Sequence, residues 1–184
     1  MRGSSFIVLL ALALGCGKPA KSEPIKPAPP KAAAPVSTPE RAEAAKALFE
    51  KAAADFHNPS SDATGDQKIQ LLEVAAKRYA QLLQDYPEQK RWCAQALRSL
   101  AGVRAEQGDT ATALKHYDRV AADFSEQEFE VLQAWKAAAD LLWDADQKTK
   151  AKVYYQKIVD RFDRKDIPPV YKIILNISKK RVGD

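Results

Sequence analysis

Apolar residues follow three regimes in this chain of 184 residues. Phe6 to Leu14 form an unbroken apolar run, and residues 17–38 are dominated by Pro, Ala and Lys without any period. From residue 39 onward apolar positions recur at the three- and four-residue spacing of amphipathic helices, while strand-like alternation is nearly missing. The third regime predicts an all-α domain over 39–184, with helices near 39–56, 66–85, 89–107, 110–123, 127–144, 147–162 and 169–181. Local signals agree with these boundaries. Thr38-Pro39 supplies a capping hydroxyl and a proline at the first turn. Gly65-Asp66 and Gly108-Asp109 join a flexible residue to a capping carboxylate, and Ser125-Glu126-Gln127-Glu128 has capping-box spacing. A long loop is expected over roughly His57–Gly65.

The helical pattern repeats. Tyr79, Tyr117 and Tyr155 are 38 residues apart. So are Ala75, Ala113 and Ala151; Leu82, Val120 and Ile158; Leu83, Ala121 and Val159; and Tyr86, Phe124 and Phe162. In the preceding helices Leu97 falls on Trp135, Leu100 on Ala138 and Ala101 on Ala139, and the interval places Ile173 and Ile177 in a final helix. Each unit therefore reads as a helix pair whose apolar stripe is covered by stacking on its neighbours, as in repeat proteins.

Leu97, Leu100, Ala101, Gly108, Asp109, Ala113 and Tyr117 resemble the tetratricopeptide repeat, as do Trp135, Ala138, Ala139, Ala151 and Tyr155. The period of 38 exceeds the family's about 34 residues, and the closing proline is present only as Pro87. The endings Asp85-Tyr86-Pro87 and Ala122-Asp123-Phe124 resemble the BamD/CpoB-type branch of the repeat, found in envelope lipoproteins. The resemblance implies an α-α superhelix of about three helix pairs plus a C-terminal capping helix, followed by a solvated basic tail at Lys179-Lys180-Arg181. A partner-docking helix is the competing reading of that last segment. The resemblance also implies a groove lined by the first helix of each pair. Its positions correspond here to Gln95, Arg98, Gly102, Ala105 and Glu106, then to Gln133, Lys136, Asp140, Trp143 and Asp144. Gln recurs with a cation in both units, and such amides and cations suit a peptide backbone and carboxylates. Trp143 adds an aromatic of the kind enriched at binding hot spots.

The first regime changes the setting. An apolar run too short to span a bilayer, preceded by Arg2, reads as a secretory leader over residues 1–15. Leu12-Ala13-Leu14-Gly15-Cys16 resembles the lipobox of bacterial lipoproteins, which implies cleavage before Cys16 and lipidation of its thiol. Gly17, which is not Asp, implies outer-membrane sorting, with the domain facing the periplasm. Residues 16–38 then form a Pro-rich tether, which at polyproline II rise reaches about 70 Å.

Charge and chemistry narrow the function. The chain carries a net +5, but positions 40–184 hold 24 Lys/Arg against 23 Asp/Glu, so the basic balance argues for no nucleic-acid partner. Cys93 lacks a second unlipidated cysteine and reads as a small buried hydrophobe, with an intermolecular disulfide the rival reading. His57 and His116 stand apart from ligand-spaced residues, with His116 expected on the surface, so no metal and no cofactor are expected. No phosphate loop, nucleophile elbow or HExxH motif occurs. The expectation is a non-enzymatic, membrane-anchored adaptor that binds a protein or peptide of the cell envelope. A pilotin-like or assembly-factor lipoprotein for a secretin, motility or β-barrel complex is the first alternative, and a cell-wall-binding module the second.

Overall fold

The computed structural model describes residues 36–183, so the leader, Cys16 and the tether up to residue 35 lie outside the described residues. Seven α-helices follow one another: α1 (Pro39–Ala52), α2 (Gly65–Asp85), α3 (Lys90–Glu106), α4 (Thr110–Asp123), α5 (Glu128–Asp144), α6 (Lys148–Phe162) and α7 (Pro169–Gly183). No strand occurs among the described residues, and no described helix is long and apolar enough to cross a membrane. Each helix packs on the next, and contacts also join α1 to α3, α3 to α5 and α5 to α7. Short connections turn each helix back along its predecessor, as the predicted pairs require.

Four of the five sequence columns describe the core directly. Ala75, Ala113 and Ala151 are buried, as are Tyr79, Tyr117 and Tyr155, and Leu82, Val120 and Ile158. Phe124 and Phe162 are buried as well, while Tyr86 is half-buried. Leu83, Ala121 and Val159 pack against the edge of this core. Small residues in one helix admit the tyrosine rings of the next, which leaves close-packed interfaces. Cys93 is buried in the same core, its thiol donating to the Tyr86 carbonyl at 3.1 Å. Burial pushes that thiol up to about 11.

The 38-residue interval recurs in the backbone. Asp109 N donates to the Arg104 carbonyl at 2.9 Å, and Gln147 N to the Leu142 carbonyl at 2.8 Å. Gly108 and Asp146 both adopt positive φ, at 81° and 56°. Between pairs, Gln89 N donates to the Tyr86 carbonyl and Gln127 N to the Phe124 carbonyl, both at 2.9 Å.

Several expectations are corrected. The first helix does not simply end near residue 56. It passes through a π turn at Ala53–His57 and a 3-10 turn at Asn58–Ser61, so the expected loop shrinks to three residues before α2. Thr38 and Asp109 cap α1 and α4 through Arg41 N and Thr112 N, but Ser125 does not cap α5, whose N-cap is Gln127 without a side-chain bond. Lys179-Lys180-Arg181 lies inside α7 rather than in a tail. Ile173 and Ile177 lie in the final helix where the interval places them, but both are exposed rather than in line with the buried Leu97 and Ala101. Pro168-Pro169 is the cause, because a residue before proline is held out of the helix and proline suits the first turn. Helix α7 thus starts three residues later than the repeat register and is rotated accordingly, with Tyr171, Ile174, Leu175 and Ser178 turned inward.

Candidate functional site

The predicted groove residues lie on α3 and α5, and their surroundings divide them into engaged and open groups. Arg98 Nε donates to Glu130 Oε2 at 2.6 Å, tying α3 to α5, and Glu130 is a buried acid. Lys136 is paired with Asp140 one turn along α5, and Asp140 Oδ1 also accepts from the Tyr155 hydroxyl at 2.7 Å. Burial, then the Asp140 hydrogen bond, raises the Tyr155 phenol far above its ordinary range. Both cations are therefore paired with acids of the same domain.

Trp143 is half-buried and stands edge-on to Tyr155, with ring centroids 6.0 Å apart. The Arg181 guanidinium of α7 lies 4.0 Å from the centroid of the Trp143 ring, and Lys148 Nζ approaches it at 5.7 Å. Trp143 thus meets Arg181 of α7 on one side and lines a hollow with Lys148, Thr149 and Lys152 on another. Asp144 is exposed.

The far end of α3 is closed by a residue that sequence reasoning left isolated. His57 Nδ1 lies 3.2 Å from the Tyr79 hydroxyl, and its Nε2 lies 3.1 Å from Glu106 Oε1. The π turn aims His57 there, since its extra residue rotates the side chain relative to a regular α-helix. Gly102 faces the same place: a Cβ on it would meet Tyr117 Oη at 3.9 Å and His57 Cε1 at 4.0 Å, ordinary contacts. Nothing in the sequence near His57 points to Glu106, which is 49 residues away. His116 differs from its expected surface position. It is half-buried with Nδ1 unpartnered, and burial, followed by Arg119 and Arg104, lowers its pKa.

What stays open is the amide pair and the N-terminal end of the face. Gln95 and Gln133 are half-buried, and neither side chain is hydrogen-bonded among the described residues. Gln95 lines a hollow of about 440 Å³ with Arg91, Glu126, Gln127, Glu128, Phe129, Glu130 and Tyr171. Phe129 is exposed, and its ring centroid lies 6.1 Å from that of Tyr171. Arg91 and Phe129 escaped the sequence reading because their exposure depends on where α7 settles. With three glutamates beside the single Arg91, the open amide and the exposed ring edge can hold a peptide backbone and an apolar side chain together. Among the described residues no group of three or more His, Cys, Asp or Glu is placed to hold a metal ion. Compared with family models and with curated proteins, the sequence matches none.

Proposed function

We propose that the chain is a non-enzymatic adaptor of the bacterial cell envelope, tethered to a membrane through a lipid on Cys16. Its helix pairs form a tetratricopeptide-like superhelix, and the face of α3 and α5 binds a protein or peptide partner. The observation that carries this reading is the pair Gln95 and Gln133, two half-buried amides 38 residues apart with no internal hydrogen bond. Neither amide is a buried unsatisfied group, so both reach solvent from one face and are free to bond an external backbone. Arg91 and Phe129 widen that face at the hollow beside Tyr171.

Photocrosslinking in living cells from Gln95 and Gln133, with exposed Lys115 on α4 as the control position, tests the reading. A shared partner at both glutamines but not at Lys115, lost in Gln95→Glu/Gln133→Glu, is the expected result. Equal crosslinking from all three positions would remove the face from consideration. Fractionation of Cys16→Ser tests the tether separately, and release from membranes is expected.

A further inference from the structure

The near-neutral charge of the domain conceals a division along its length. Residues 36–144 carry 13 Lys/Arg against 18 Asp/Glu, a net −5, whereas residues 145–183 carry 11 against 4, a net +7. The basic part is α6, α7 and their connection. Its arginines are engaged internally: Arg161 donates to the Ser125 carbonyl, Arg164 to Glu128, and Arg181 stacks on Trp143. The lysines Lys152, Lys165, Lys172 and Lys180 have no ion-pair partner among the described residues.

The same end is unusually apolar on its outside. Ile173 is 65% exposed, Val170 51%, Val153 55% and Ile177 41%. At about 100° per residue, Val170, Ile173 and Ile177 fall on one flank of the arc of α7 that faces away from the body. Lys172, Asn176 and Lys179 fall on the other flank, with Lys180 between them. Val153 and Val182 meet in a shallow hollow of about 410 Å³ bordered by Lys152. A terminal element of a repeat stack ordinarily turns a polar face outward, and this one exposes an aliphatic stripe.

We propose that the α6–α7 end docks on an anionic phospholipid surface. Val170, Ile173 and Ile177 enter the interface, and Lys152, Lys172 and Lys180 meet the headgroups. A basic amphipathic helix with an open aliphatic stripe is suited to lie in such an interface. The charge favours lipid over an acidic protein helix. Compact lysines spread over two helices match a diffuse sheet of phosphate, whereas the arginine forks that would grip individual carboxylates are spent inside the domain. A lipid chain joined to a basic patch is also the two-signal arrangement that holds a protein firmly on a bilayer. The proposal goes beyond the binding face and shares with the preceding reading only the tether at Cys16.

The test uses the full chain carrying Ile173→Cys, labelled with an environment-sensitive fluorophore and reconstituted into vesicles. One vesicle preparation contains phosphatidylglycerol with phosphatidylethanolamine, and the other phosphatidylcholine alone. Buried Cys93 is shielded from the label, and a lipidated Cys16 has no thiol. A second label on Cys16 therefore reports failure of the tether independently of the docking result. The expected result is blue-shifted emission and protection from iodide in the anionic vesicles only, with a Lys115→Cys probe unchanged. Lys152→Gln/Lys172→Gln/Lys180→Gln should lower the docked-to-free ratio about a hundredfold, each cation near such a surface contributing about fivefold. Equal emission in both vesicle types would overturn the proposal. So would protection already present without lipid, the mark of a second copy on the stripe, or protection that appears only when a protein partner is added.

Discussion

Removing the guanidinium of Arg98 leaves the buried Glu130 carboxylate without its 2.6 Å donor, and that loss should be felt in stability before it is felt in binding. Breaking such a pair on one side costs about 3 kcal/mol when both charges are deep, and less here because Arg98 is a third exposed. Arg98→Ala should therefore lower Tm by several degrees, and Arg98→Ala/Glu130→Met should recover most of it. An unchanged Tm would return Arg98 to the binding face. The sequence made Arg98 visible as a cation at a repeated position but not its partner, because Glu130 sits 32 residues on, in another helix. Tyrosines supply a pH signature. Burial pushes the Tyr79 and Tyr117 phenols up to about 12, while unfolded tyrosine ionises near about 10. A folded pKa above the unfolded one gives stability that is intact below pH 10 and is lost as pH rises toward 12. Helicity followed by circular dichroism should collapse in that window together with tyrosinate absorbance. Ionisation of Tyr79 and Tyr117 near 10 with helices intact would contradict the burial.

Helix boundaries were largely readable because caps and stops act locally. The exceptions have long-range or geometric causes. The π turn at Ala53–His57 has no composition of its own, and α7 is displaced by Pro168-Pro169, whose effect on register appears only when the helix must pack. The turns inside the pairs α3–α4 and α5–α6 offer a direct comparison. Gly108 and Asp146 occupy equivalent positions, with φ of 81° and 56°. Glycine adopts that conformation freely and aspartate does not. Asp146→Gly should accordingly raise stability by about 0.5–1 kcal/mol, and Gly108→Ala should lower it by about 1 kcal/mol. No atom lies within 4 Å of a Cβ at Gly108, so the cost there is conformational alone. Thermal unfolding of the two variants checks both signs, and equal Tm values would show that the turns do not share this constraint.

For the molecule as a whole, the succession of packed pairs was legible because its contacts join neighbours in sequence, where a period can be seen directly. The candidate face was half legible. The interval located Gln95 and Gln133, but the satisfaction of Arg98, Lys136 and Trp143 depends on how helices cross. The charge division was hidden by summing over the domain. One feature of the core also makes the protein convenient to follow in solution. Tyr79, Tyr117 and Tyr155 place a buried ring in each successive pair, and each hydroxyl has a different environment: His57 for the first, no hydrogen-bond partner among the described residues for the second, Asp140 for the third. The rings are thus three optical reporters spaced along the stack. Replacing each in turn by phenylalanine and reading the tyrosinate absorbance that is lost distinguishes unravelling from either end from a single concerted melt.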